Sequence, residues 1–206
     1  MRDPLALASE LAQVVVASHR SGERRVVGIA GESGSGKSVT AMRLVEALTA
    51  SGRPSVALHQ DDYFHRPPRT NHEHRESDLS SVGPHEVDLA RLATHVARFR
   101  AGDDGVVVPT VDYPRNRFTT RVLDFASCDF LVVEGTYVLA LPALDVRIFL
   151  EATSDDSRER RRHRNRDIDA PFLEQVLAME HDAIAPQAAR AHIVIDRDFL
   201  VKDRGH

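Results

Sequence analysis

The segment Gly31-Glu32-Ser33-Gly34-Ser35-Gly36-Lys37-Ser38 has the spacing G-x-x-x-x-G-K-[ST] of a phosphate cradle. Glycines in such a turn let successive backbone N–H groups, here including those of Ser33 and Ser35, point at phosphate oxygens that a side chain would hold off. A helix beginning at Lys37, with Val39 in its first turn, adds the positive end of its dipole to the same anion. Lys37 is long enough to reach the β and γ phosphates, and the Ser38 hydroxyl can ligate Mg2+. ATP and Mg2+ are therefore the expected cofactors, with Gly31, Ser33, Gly34, Ser35, Gly36, Lys37, Ser38 and Val39 as nucleotide contacts. A flexible Gly/Ser linker is the competing reading, and the apolar run before the segment and the helical pattern after it disfavour that.

Glu134 closes the apolar run Phe130-Leu131-Val132-Val133 and precedes Gly135. A carboxylate at a strand end beside the cradle can orient the Mg2+ shell together with Ser38, or it can simply cap a helix. Gly135 would let the backbone pass close to the ligand. The run Ser157-Arg158-Glu159-Arg160-Arg161-Arg162-His163-Arg164-Asn165-Arg166-Asp167 is crowded with arginine. It reads either as a solvated basic face or as a set of phosphate contacts, with Arg158, Arg162 and Arg166 as candidates on one helical face.

These groups need a scaffold. Residues 4–20 carry apolar positions at helical spacing and end near Gly22. Val26–Ala30 reads as a buried strand, residues 37–50 as a helix stopped by Gly52-Arg53-Pro54, and Ser55–His59 as a second strand. Residues 65–84 are rich in His, Arg and Pro and predict a long acceptor-side loop. A helix follows over 85–100, then strands at 106–109, 130–134, 146–150 and 192–195, with helices over 154–167 and 171–190, the latter broken near Pro186. Strands alternating with helices imply an α/β fold: one three-layer domain over residues 1–206 with a central parallel sheet and helices on both faces. The turns at 31–38, 60–64, 109–117, 134–137 and 151–153 would then all sit at carboxyl ends of strands, where such sheets bind ligands.

The chain has 206 residues, enough to hide roughly 70% of its unfolded surface. Its net charge of −4 gives no global attraction to nucleic acid or anionic membrane, so neither is an expected partner. The single cysteine, Cys128, excludes an internal disulfide and a cysteine zinc site and reads as a small packing residue. No apolar run is long enough to span a bilayer and no secretory segment is evident, so the cytoplasm is the expected compartment. Nothing in the composition opposes a homo-oligomer.

Taken together, the cradle, Gln60-Asp61-Asp62-Tyr63-Phe64, Val132-Val133-Glu134-Gly135-Thr136, the arginine-rich helix and Ala191-His192-Ile193-Val194-Ile195 make the chain resemble the uridine kinase / phosphoribulokinase family. The resemblance runs from about residue 25 to residue 196 and implies a P-loop NTPase-type sandwich. It implies that Asp61 accepts the proton of the acceptor hydroxyl, which agrees with the need for a carboxylate across from the γ-phosphate. It implies that residues 154–170 are a small lid, whose Arg158 and Arg162 stabilise the transferred phosphoryl group and whose closure excludes water. Asp62 and Tyr63 are adjacent acceptor-side candidates. Asp62 would point elsewhere if the strand pleat continued, and Tyr63 and Phe64 either line the acceptor pocket or anchor the loop.

The acceptor pocket departs from the uridine kinase pattern. Where those kinases hold the ribose diol with an aspartate, this chain has Val82, with Asp78 four residues earlier. The family pocket corresponds to Val111-Asp112-Tyr113-Pro114-Arg115-Asn116-Arg117, which keeps Asp112, Tyr113 and Arg117 as acceptor contacts but places Val111 and Asn116 where the family has tyrosine and histidine. The expected activity is ATP-dependent phosphorylation of a hydroxyl on a small molecule. A nucleoside leads, and pantothenate, nicotinamide riboside, a sugar or a sugar phosphate is the alternative, the last because Arg115 and Arg117 could meet an anionic acceptor. A regulatory P-loop ATPase is the reading from a different class. His59, His65, His72, His74 and His85 crowd the same region; His72 and His74 could share a metal, but solvated loop histidines are the simpler account.

Overall fold

A computed structural model describes residues 4–17, 19–20, 22–152 and 170–203. Its helices are α1 (Pro4–Val16), α2 (Lys37–Ala50), α3 (Pro68–Ser77), α4 (Leu89–Ala101) and α5 (Ala170–Ile184). Its strands are β1 (Arg25–Gly31), β2 (Ser55–His59), β3 (Val106–Asp112), β4 (Arg117–Leu123), β5 (Phe130–Glu134), β6 (Val146–Leu150), β7 (Ile193–Ile195) and β8 (Val201–Asp203). The expected lid lies almost wholly in residues 153–169, outside the described residues.

Six strands form one sheet in the order β2-β5-β1-β6-β7-β8, parallel except for β8 at the edge. Alternation along the central strands builds two cores. Val26, Ala30, Leu131 and Val133 face α4, where Leu92, Val96 and Phe99 meet them. Val27, Ile29, Phe130 and Val132 face α1 and α2, against Leu7, Leu11, Leu44 and Leu48. A strand buried on both faces has no polar side, and β5 is buried at every position. The first polar or glycine residues at the carboxyl ends of β1, β2 and β5, namely Gly31, His59 and Glu134, lead into the turns that carry the candidate chemistry. Among the described residues no helix is long and apolar enough to cross a membrane.

Three expectations are corrected. The polar stretch 65–84 is not a loop: Pro68 opens α3 and a 3-10 turn follows at Leu79–Ser81. Its apolar content is too low to signal a helix, and its anchors lie far away in sequence. Asn116 Oδ1 accepts from the Arg69 N–H at 2.8 Å and so caps the helix from outside, and Arg75 pairs with Glu86 and Glu180.

The run at 106–109 does not join the parallel sheet. β3 and β4 form an antiparallel hairpin closed by Asp112 opposite Arg117, so the turn at 113–116 is a hairpin tip and not a parallel strand end. Both strands of a lone hairpin are edges, which tolerates Pro109. Finally, α4 starts at Leu89, where Asp88 accepts from the Arg91 N–H at 2.9 Å; Pro84–Glu86 is a separate 3-10 turn.

Candidate active site

β1 ends at Gly31 and α2 begins at Lys37, so the cradle occupies the turn between a buried strand and a helix N-terminus. Gly36 has φ 101°, a left-handed conformation that a side chain would strain. Lys37 Nζ donates to the Glu32 carbonyl at 2.8 Å. Burial pulls the Lys37 ammonium below its ordinary pKa, against the opposing pull of Glu134, Asp61, Glu180 and Glu32. A desolvated cation among loop amides suits a phosphate. Ser35 is fully buried, and among the described residues its Oγ has no hydrogen-bond partner. Ser33 and Gly34 lie on the loop's accessible side, and Ser38 and Val39 are exposed at the start of α2.

Ser38 Oγ donates to Glu134 Oε1 at 3.1 Å, and Glu134 is only 4% exposed. A hydroxyl and a carboxylate are the hard oxygen donors that Mg2+ takes when most of its shell is water and phosphate. Among the described residues no cluster of three or more His, Cys, Asp or Glu could hold a metal alone. His59 Nδ1 lies 2.8 Å from the same Glu134 oxygen. Hydrogen bonding to Glu134 raises the His59 pKa above its usual value. His59 is thus not a solvated loop histidine. The parallel register sets it opposite Glu134, a pairing visible only once the strand order is known. Gly135 also serves a different purpose from the one expected: a Cβ there would run into Gln60 Cβ, so it makes room for protein rather than for a ligand.

Gln60 fixes the second acidic turn. Its Nε2 donates to Thr136 Oγ1 at 2.8 Å and its Oε1 accepts from the Tyr137 N–H at 2.7 Å, pinning the 3-10 turn Gln60–Tyr63 to the exit of β5. Asp61 is thereby held beside Lys37, with Tyr113 Oη at 3.4 Å from its Oδ2. Asp61 is exposed to solvent at this turn. Burial and the field of Glu134 raise its pKa, opposed by Lys37 and Tyr113.

Asp62 and Tyr63 face away from this space. Asp62 Oδ1 accepts from the Val111 N–H at 2.7 Å, which fastens the hairpin to the turn. Tyr63 is 2% exposed in the core, with its hydroxyl 2.7 Å from His95 Nδ1. Both are corrected from acceptor contacts to anchors. Tyr113 is 55% exposed at the hairpin tip. Asp112 is held by Arg117 Nε at 3.2 Å and Arg115 Nη1 at 3.3 Å, so Arg117 is partnered within the hairpin. Val82 is buried, and Asp78 caps its own turn through the Ser80 N–H at 3.0 Å. Arg158 and Arg162 lie outside the described residues.

Two groups escaped the sequence reading. Glu180 on α5 accepts from Arg75 Nη2 at 3.0 Å, and Arg75 holds Glu86 through Nε at 2.6 Å and Nη2 at 2.8 Å. His181 Nδ1 lies 2.6 Å from Glu32 Oε1 in the phosphate loop. Both were unmarked because only the tertiary fold brings α5, α3 and the loop together.

Residues 26–202 match the phosphoribulokinase / uridine kinase family. The chain is 30% identical over 195 residues to the bifunctional alpha-galactosidase/sucrose kinase AgaSK of Mediterraneibacter gnavus, covering 88% of this chain and 21% of that protein. It therefore spans about a fifth of that relative's length. It is 30% identical over 192 residues to a uridine kinase of Leuconostoc citreum, covering 82% and 86% of the two chains. The phosphoribulokinase structure from Rhodobacter spheroides superposes with a TM-score of 0.61 at 15% identity, over 85% of this chain and 71% of that one, a likeness of fold. A phosphate loop with its lysine, a serine–glutamate pair at the ends of α2 and β5, and a match over most of the chain place this protein in the phosphoribulokinase / uridine kinase family of P-loop kinases.

Proposed function

We propose that this kinase transfers the γ-phosphoryl group of ATP to a hydroxyl of a small, neutral, polyhydroxylated acceptor, with a carbohydrate favoured over a nucleoside. The observation that carries the proposal is the placement of Asp61. It lies in the field of Lys37, exposed to solvent, on a turn held by Gln60, with the Tyr113 hydroxyl beside it. A carboxylate there faces the position an in-line hydroxyl must take.

The loop amides and Lys37 bind the triphosphate tail, and Ser38 and Glu134 would hold Mg2+. Bound there, the ion would supply positive charge to offset the charge that builds on the phosphate oxygens. Asp61 orients the acceptor hydroxyl and takes its proton as the new O–P bond forms and the bond from the γ-phosphorus to the bridging oxygen of ADP breaks. The raised pKa of Asp61 brings a carboxylate closer to the basicity such a transfer uses. Arg158 and Arg162 would add positive charge to the same phosphoryl group.

A carbohydrate is preferred because the positions that would serve a nucleoside are otherwise engaged. Val82 is buried, Asp78 caps its own turn and Asn116 caps α3. The likeness to a sucrose kinase over 88% of this chain supports the same choice. The nucleoside reading rests on the Leuconostoc relative and on Asp112 and Tyr113. The test is ADP release with neutral sugars, polyols, nucleosides and pantothenate in turn. Strong stimulation by a sugar or polyol is expected. Stimulation by uridine or cytidine alone would move the assignment to a nucleoside kinase. Slow hydrolysis indifferent to every addition would make the protein a regulatory ATPase.

A further inference from the structure

α5 brings a second carboxylate into the field around Lys37. Glu180 is 7% exposed, and its Oε1 accepts from Arg75; among the described residues no hydrogen bond engages its Oε2. Its field reaches Lys37, as do those of Glu134, Asp61 and Glu32. The next residue, His181, touches Glu32, so this turn of α5 lies against the phosphate loop. On the acceptor side, α3 meets the same helix through Arg75 and through the edge-on contact of His72 with Phe172, ring centres 5.5 Å apart. Glu180 therefore sits where the acceptor-side helix and the nucleotide loop converge.

The other three carboxylates have partners or tasks of their own. Glu134 engages Ser38 and His59, Glu32 engages His181, and Asp61 is the candidate base. A further negative charge beside a triphosphate is unfavourable unless its open oxygen meets a donor. Burial already pushes the Glu180 carboxyl above its ordinary pKa. A hydroxyl of a neutral acceptor supplies the missing donor without adding charge, whereas an anionic acceptor would bring one more negative group.

We propose that Glu180 Oε2 accepts a hydrogen bond from an acceptor hydroxyl next to the one phosphorylated, with Arg75 as the positioning residue that fixes Oε1, and that the pair selects neutral polyhydroxylated acceptors over anionic ones. This rests on the kinase reading and specifies its acceptor class. Arg75 is itself set by Glu86, whose two oxygens also accept from Asn71 Nδ2 and the Gly83 N–H at 2.9 Å each. The carboxylate is thereby aimed from a shell that does not touch the acceptor.

The experiment compares wild type, Glu180→Gln, Glu180→Asp and Arg75→Lys over one panel: neutral mono- and disaccharides, polyols, nucleosides, pantothenate and sugar phosphates. For the best acceptor, Glu180→Gln should raise acceptor KM at least tenfold, a clearly larger factor than any change in KM for MgATP, since the lost charge also acts on Lys37. Glu180→Asp should fall between, and Arg75→Lys should retain part of the activity with Tm close to wild type. The wild type should turn over neutral sugars in preference to sugar phosphates. A stimulated wild type with an indifferent Glu180→Gln, or a wild type that prefers sugar phosphates, overturns the inference alone. A wild type stimulated by no member of the panel contradicts the kinase reading and overturns the inference with it.

Discussion

The phosphate loop and the acceptor side of the cleft are held in place by opposite means. The loop is a contiguous eight-residue segment whose shape follows from its own glycines and from the strand and helix joined to it. The acceptor side is assembled from distant pieces. Asn116 caps α3 from 47 residues away, Asp62 holds the hairpin across 49 residues, and Arg75 reaches Glu180 across 105. Local geometry gives a rigid grip on a ligand part common to all nucleotides. On the proposed acceptor side, position depends on long-range polar contacts instead. Variants on the two sides should therefore fail differently.

The largest effect is expected from Asp61→Asn, at the boundary between the sides. Acceptor turnover should fall by about 10²–10⁴-fold, while MgATP binding measured by calorimetry survives. Loss of both together would mean that Asp61 belongs to the nucleotide grip. In the wild type, activity on the acid side should be lost as pH falls through the Asp61 pKa, which burial places above the ordinary aspartate value. An acid limb at the ordinary value would remove the electrostatic basis of that role.

Lys37→Ala should lower transfer and acceptor-independent hydrolysis alike, by about 10²–10³-fold, with circular dichroism unchanged. A variant that loses transfer but keeps hydrolysis would show the loop to be less autonomous than its sequence suggests.

His59 sharpens the nucleotide side through pH. Its protonated form pairs with the carboxylate expected to face Mg2+, and its pKa is raised in the folded state. KM for MgATP should fall as pH rises through that value, and His59→Asn should flatten the profile. The linked stability has the same sign. It is fully present below the unfolded pKa of about 6.5 and lost as pH rises through the folded one. A wild-type profile already flat from pH 6 to 9 would contradict this.

The smallest effect should come from Asn116→Ala. Loss of the cap costs about 1 kcal/mol of α3 stability, so acceptor KM should rise a few-fold with MgATP KM unchanged. An equal shift in both constants would break the separation between the two sides.

The same contrast explains what could be read from the sequence. The nucleotide side was legible because glycine spacing, an apolar strand and a helical period are local signals, and α2 begins and ends at residues 37 and 50 as its pattern indicates. Helix α3 was not legible, since Asn71 is its only buried residue and its cap comes from the hairpin tip. The hairpin itself was half visible. Val106–Val108 reads as a strand, but the polar face of β4 gives no apolar run to mark its partner. Glu180 and His181 look like ordinary helix-surface residues until α5 is laid on the phosphate loop.

The central claim is transfer to an acceptor hydroxyl rather than to water. Following the γ-phosphate label of ATP in the presence of a stimulating acceptor tests it most directly. The account predicts the label on the acceptor, with little inorganic phosphate and loss of the transfer in Asp61→Asn. Label released as inorganic phosphate at one rate, with or without any acceptor, would contradict it.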